Sequence, residues 1–292
     1  MVRGVRQALN RQPSLLAAIL MSGLWVGAYS VFANYNGWMQ PFKRFDFHLA
    51  FAIGGFIFGV GASINQACSV STLHQFARGN LSMLLTMLGW FLGWYIWDLL
   101  SSTFSIVINY RPLPLLNQQF VSIMFGLSVL FTLLIVILYP KERERWLGVS
   151  AIGLLVAVLF FIEPMWPPSR LIQDMGLSVV EDKTAPSIYR AGLTLMLLLG
   201  MWISVMLHKD TRFMWPTRYK ILRHSLGGIM MGIGGAIAIG GNDSQILMGM
   251  PSMSFGAVTA IVFILIGIAF EQYLYNHYHD FKSRFISKPP IA

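Results

Sequence analysis

Long apolar runs, each closed off by a short polar segment, fill the chain from one end to the other. A helix needs about 20 mostly apolar residues to cross a hydrocarbon core of roughly 30 Å. Eight segments reach approximately that length: Ser14–Ala33, His48–Ala67, Leu81–Trp97, Gln118–Tyr139, Trp146–Ile162, Ala191–Leu207, Ser225–Asn242 and Met253–Phe270. None of them contains Asp, Glu, Lys or Arg. The pattern predicts an all-α, polytopic integral membrane protein with a single transmembrane domain over residues 1–292. Arg3, Arg6 and Arg11 precede the first run, which is too long for a secretory leader and reads as an uncleaved first span.

Composition agrees with that reading. Residues of the set AVILMFWYC make up 55% of the chain and charged residues only 11%, where a soluble domain carries roughly 25% charged residues. The formal net charge of +9 would point to nucleic acid in a soluble protein. Here the basic residues lie between apolar runs, so no nucleic-acid partner is expected and the solvent is the lipid bilayer. With the N-terminus inside and eight crossings, 15 of the 21 Lys and Arg residues fall on the cytoplasmic side, as the positive-inside rule requires. The expected location is the cell inner (plasma) membrane with both termini cytoplasmic. The segment Glu163–Pro186, with Glu163, Asp174, Glu181 and Asp182, is then an outside loop. Trp38, Trp146, Trp166 and Trp215 fall near the expected interfaces, where indole rings anchor helices.

Self-similarity at a constant offset of 173 residues is the strongest internal signal. Gly54-Gly55 matches Gly227-Gly228, Gly59 matches Gly232, Gly61 matches Gly234, Ser71 falls on Ser244 and Cys68 on Gly241. With eight crossings the two copies run in opposite directions. That predicts an inverted-repeat helical bundle, with halves at about 14–139 and 146–270 and a substrate site between them near the midplane. The small-xxx-small spacing also suits close helix packing. Packing does not account for the polar runs that follow: Asn65, Gln66, Ser69, Ser71 and Thr72 around Cys68, then Gly240, Gly241, Asn242, Asp243, Ser244 and Gln245. Such runs predict broken or re-entrant helices, tolerated only where protein or a wet cavity meets the freed backbone. A half-helix after each break would aim its N-terminal N–H groups at the same cavity and favour an anion there.

These residues resemble a known family. Gly54–Gly93, with the glycine run, Cys68, Leu73, Gly79-Asn80 and Gly89-x-x-x-Gly93, is similar to the first half-motif of the YeeE/YedE sulfur-transport family. Gly227–Pro251, with Gly240-Gly241-Asn242, Leu247, Gly249 and Pro251, is similar to the second. The resemblance covers about 65 residues. It implies uptake of thiosulfate, or a related small sulfur-containing anion, through an hourglass-shaped helical protein whose cysteines pass the anion along by S–H hydrogen bonds. It also implies a small soluble cytoplasmic sulfur-carrier protein as partner. The chain departs from the pattern in having Gly241 where the family carries a cysteine, Gln66-Ala67 in place of a glycine pair, and Ser71 in place of a glycine. With Cys68 the only cysteine, a cysteine-to-cysteine relay within one chain is impossible.

The candidate substrate pathway is therefore Cys68, Asn65, Gln66, Ser69, Ser71, His74, Gly240, Gly241, Asn242, Asp243 and Ser244. Cys68 is either a small buried hydrophobe or a neutral S–H donor that grips a passing anion weakly. Asp243, the only ionisable residue between Ser225 and Phe270, is either a pathway or proton site or a hydrated cap at a helix end. His74 and Arg78 either guide an anion at the cytoplasmic mouth or set topology. Met230, Met231, Met248 and Met250 are core filler or a soft lining for a sulfur species. His277 and His279 are too few for a metal site, the glycines are not nucleotide loops, and no cofactor is expected. Transport is the leading reading and an enzyme is not expected. The alternatives are a membrane thiol enzyme working through a Cys68 persulfide, or a non-transporting scaffold subunit.

Overall fold

The computed structural model describes residues 1–37, 42–114, 117–180 and 186–286. Trp38, Glu181, Asp182, Lys183 and Lys288 lie outside the described residues. The chain runs through α1 (Val2–Leu9), α2 (Ser14–Tyr35), α3 (Leu49–Asn65), α4 (Ser69–Ala77), α5 (Ser82–Thr103), α6 (Gln118–Leu138) and α7 (Arg143–Ile162). It continues through α8 (Pro168–Val180), α9 (Ile188–Leu207), α10 (Arg218–Ile237), α11 (Asn242–Ser244) and α12 (Phe255–Ile286). A π-helical turn, Gln245–Gly249, extends α11. Two strands of two residues each, β1 (Arg44–Phe45) and β2 (Pro112–Leu113), pair antiparallel beside this all-α bundle.

Each of the eight apolar segments is largely helical, but fewer than eight qualify as membrane spans. Among the described residues, four spans are long and apolar enough to cross a membrane alone: α3 run on into α4, α5, α9, and α12 as far as Tyr278. Counting each of two bent pairs as one span gives up to six. They are α6 with α7, bent by 111°, and α10 with the short helix after it, bent by 43°. Local chemistry starts the helices where expected. The side chains of His48, Asn117, Ser187 and Thr217 accept backbone N–H groups at the N-termini of α3, α6, α9 and α10, satisfying donors that a helix start leaves free.

Between helices in lipid, association depends on close contact more than on exclusion of water, so small residues let backbones approach. The centre of the bundle is α3 and α10, flanked by α12 and α5. A Cβ on Gly61 would stand 2.8 Å from Gly227 O, and one on Gly54 would stand 2.7 Å from Gly234 O. Gly61 and Gly54 are the repeat equivalents of Gly234 and Gly227, so this is one contact made twice. As the number rises along α3 it falls along α10, which makes the two helices antiparallel. The relation is a pseudo-twofold axis perpendicular to both, as in an isologous interface. It extends to the outer helices: Gly93 packs on Gly232 and Gly267 packs on Gly59.

Three expectations need correction. The seventh apolar segment does not continue to Asn242, because α10 ends at Ile237. The expected outside loop after Glu163 instead holds α8, a 13-residue helix packed against α5. Trp146 and Trp166 are not interfacial anchors but are buried, edge-to-face on Phe131 and Phe160, while Trp215 is exposed.

Candidate functional site

Both polar junctions are breaks, and they have the same backbone. After α3 the chain turns through Gln66 at φ 62°, and after α10 it turns through the repeat-equivalent Ile239 at φ 57°. Left-handed backbone is ordinary for glycine and costly for a β-branched residue. Cys68, ahead of α4, has φ −86° and ψ −178°. Gly241, its equivalent ahead of α11, has φ −77° and ψ −175°. Different residues at the two repeat positions are therefore folded into one turn, and each turn aims the start of a short helix inward.

The two starts meet. Asn242 Oδ1 accepts from Ser69 Oγ at 2.6 Å and from Ser69 N–H at 3.3 Å. Both residues are buried, and they are separated by 173 positions, the repeat offset. The first residue of one half-helix thus satisfies an orphan N–H of the other. Cys68, next to this pair, is 4% exposed, and its Sγ lies 3.3 Å from Ser71 Oγ. The Met1 amino group donates to the same sulfur at 3.5 Å. Sequence reasoning missed that contact because nothing in α1 marks a docking partner.

Asn65 anchors the first break. Its amide nitrogen donates to Ala67 O and Thr72 Oγ1, both at 3.0 Å. Its oxygen accepts from Thr86 Oγ1 at 2.6 Å and faces His224 Nδ1 at 2.7 Å. Gln66 is exposed, and in the orientation that satisfies both groups its side-chain oxygen accepts from Arg223 at 2.9 and 3.2 Å. Met231 is wholly buried against this anchor, its sulfur 4.0 Å from the Asn65 amide nitrogen.

Asp243 is buried, 3% exposed, so it is not a hydrated cap. Its Oδ2 accepts from Ser169 N–H at 3.1 Å, and Ser169 Oγ and Ser244 Oγ are 2.7 Å apart. Asp243 Oδ1 has no hydrogen-bond partner. Ser169 belongs to α8, so the second break is stoppered by the start of a short helix, much as the first is by the start of α1. The Pro167-Pro168-Ser169 run is a helix-start signal, and it could have revealed α8 though not its partner. Gln245 spans the second break, donating to Ala238 O at 2.6 Å.

The structure does not bring His74 to this centre. It is exposed near the far end of α4. Arg78 pairs with Asp210 at 2.6 Å, and the turn after α4 binds the strap before α10 through Arg212 N–H to Arg78 O and Met214 N–H to Gly79 O. No cluster of three metal-ligating side chains occurs among the described residues.

A helical membrane protein with two interrupted helices meeting end to end across an inverted repeat is the class that the fold and this site define. The chain belongs to the sulphur transport family, whose model matches residues 4–167 and 145–270, and the resemblance read from the two half-motifs falls within those matches. A comparison with curated protein sequences gives no match. Family membership carries a sulfur-transporter role in a multi-pass membrane setting.

Proposed function

We propose that this chain carries thiosulfate, or a closely related small sulfur anion, through the junction between α4 and α11. Two halves at about 14–139 and 146–270 form the passage, and Cys68, Asn65, Gln66, Ser69, Ser71, Gly240, Gly241, Asn242, Asp243 and Ser244 surround it. His74 belongs to the approach and not to the junction. The single observation that carries the reading is the bond between Ser69 and Asn242. It closes the junction with a carbonyl oxygen standing where an anion oxygen would sit. Passage opens that bond, and the anion takes over the freed Ser69 N–H and O–H donors.

Neutral donors suit conduction, because a site that carries anions must hold them well enough to admit them and loosely enough to release them. Held as a thiol, Cys68 adds a weak donor, and the Met1 amino group that donates to its sulfur offsets negative charge there. Asp243 on the other side opposes a free anion unless it holds a proton, so the reading includes a proton arriving with the anion. The basic-residue asymmetry supports an inner-membrane location with both termini in the cytoplasm, and a small soluble sulfur carrier is the proposed acceptor there.

Uptake of labelled thiosulfate into proteoliposomes tests this. The parent should exceed empty liposomes, and Cys68→Ala and Asn242→Ala should each slow uptake by tenfold or more. Parent uptake no faster than empty liposomes removes thiosulfate as cargo.

A further inference from the structure

A polar cavity of about 410 Å³ lies beside the first break, on the side closed by α1. Arg6 of α1, Asn10 just after it, Gln66 of the break, Arg223 of α10, and Glu271, Gln272 and Asn276 of α12 line it. None of these except Gln66 belongs to the junction described above. The cavity has room for a small oxyanion with some of its water.

Its chemistry is unbalanced toward donors. Two guanidinium groups and four side-chain amides line it with a single carboxylate. That carboxylate is already engaged, since Glu271 Oε2 accepts from Ser63 Oγ. Arg223 is held in place: its Nε donates to Ile64 O at 2.5 Å, and its other nitrogens reach Gln66. Gln272 is 7% exposed, and its side-chain nitrogen has no hydrogen-bond partner. A buried N–H group left without an acceptor is unfavourable, and planar guanidinium groups match the paired oxygens of oxyanions. Two guanidinium groups against one carboxylate leave a positive excess that suits an acceptor-rich anion.

We infer that this cavity is a second anion site, which holds a sulfur oxyanion beside the first break before or after it crosses the junction. The inference rests on the transport reading for the identity of the anion, and on this cavity alone for its place. Gln66 makes the connection: it lines the cavity and lies two residues before Cys68. Arg6 adds charge from α1, the helix that begins directly after Met1, whose amino group donates to the Cys68 sulfur, so an anion in the cavity would touch α1.

The test uses the full chain in nanodiscs, with thiosulfate as probe, and reads binding by calorimetry alongside proteoliposome uptake. Arg6→Gln and Gln272→Leu should each weaken thiosulfate binding by tenfold or more, and Arg6→Lys should stay within threefold of the parent. Unchanged binding in Arg6→Gln and Gln272→Leu overturns the inference and leaves the transport reading standing. Binding that weakens in those variants, in a parent that carries no thiosulfate, overturns the transport reading and leaves this site standing. Absence of binding at millimolar thiosulfate overturns the site. Arg6 is exposed, so its variants separate a binding defect from a folding defect, which a changed size-exclusion profile would reveal.

Discussion

Ser69 Oγ donates to Asn242 Oδ1 across 2.6 Å, and each residue occupies the position of the other in the internal repeat. The bond therefore lies close to the pseudo-twofold axis, where the two halves of the molecule meet. Replacing Asn242 by Ala strands two buried Ser69 donors, and leaving a buried group unsatisfied costs about 1–3 kcal/mol. Thermal unfolding in detergent should show that loss. Ser69→Ala should cost less, because it removes a donor along with its bond and leaves only one hydrogen bond to replace.

The central glycines should tolerate no side chain. Gly61→Ala and Gly227→Ala place a methyl within 2.9 Å of a backbone oxygen on the facing helix. Each should destabilise by about 1–3 kcal/mol, as overpacking does. Gly126 and Gly148 meet nothing within 4 Å, so Ala at either should be neutral or stabilising by about 0.5–1 kcal/mol. Melting temperatures of the four variants distinguish the two groups.

Ile239 at φ 57° carries strain that its equivalent, Gln66 at φ 62°, carries less sharply. Ile239→Gly should relieve about 1 kcal/mol of left-handed penalty, offset in part by lost packing. Gln66→Gly should gain less or lose stability, because the bonds to Arg223 go with the side chain. The comparison is read from the order of the two unfolding midpoints.

Tyr110 predicts an alkaline limit. Its hydroxyl donates to Ile237 O, the last residue of α10, and burial pushes its pKa up to about 12 from 10. The folded state thus prefers the neutral phenol. This contribution is fully present below about pH 10 and is lost as pH rises from 10 through 12. Tyr110→Phe should lower stability by about 0.5–1.5 kcal/mol at neutral pH and flatten the decline between pH 10 and pH 12, measured by thermal unfolding across that range.

Cys68 should react slowly with a maleimide in the folded protein and quickly once unfolded, because it is buried. Mass spectrometry after exposure to thiosulfate should find the free-thiol mass. A persulfide adduct would instead favour the thiol-enzyme reading.

Much of the architecture was legible along the chain. Apolar length predicted the helices because the cost of exposing backbone and charge to lipid acts on each segment separately. The glycine spacing and its return 173 residues later predicted an antiparallel pair, since close approach needs small residues on both partners. Asn65, Gln66, Cys68, Ser69, Asn242, Asp243 and Ser244 were singled out along the chain, and the structure gathers them at the two breaks. His74 was read as a guide at the mouth of the pathway, and a turn and a half of α4 separates it from the junction.

The order of helices, the two breaks and the twofold relation between them follow from the sequence by itself, because periodicity, transfer cost and backbone preference are local. Tertiary structure decided which polar groups meet. Ser169 reaches Asp243 and Ser244 across more than seventy residues, and Met1 reaches Cys68 across 67. Arg6, Arg223 and Gln272 come together around one cavity from three separate helices. No local preference encodes such meetings, since each depends on how whole helices pack.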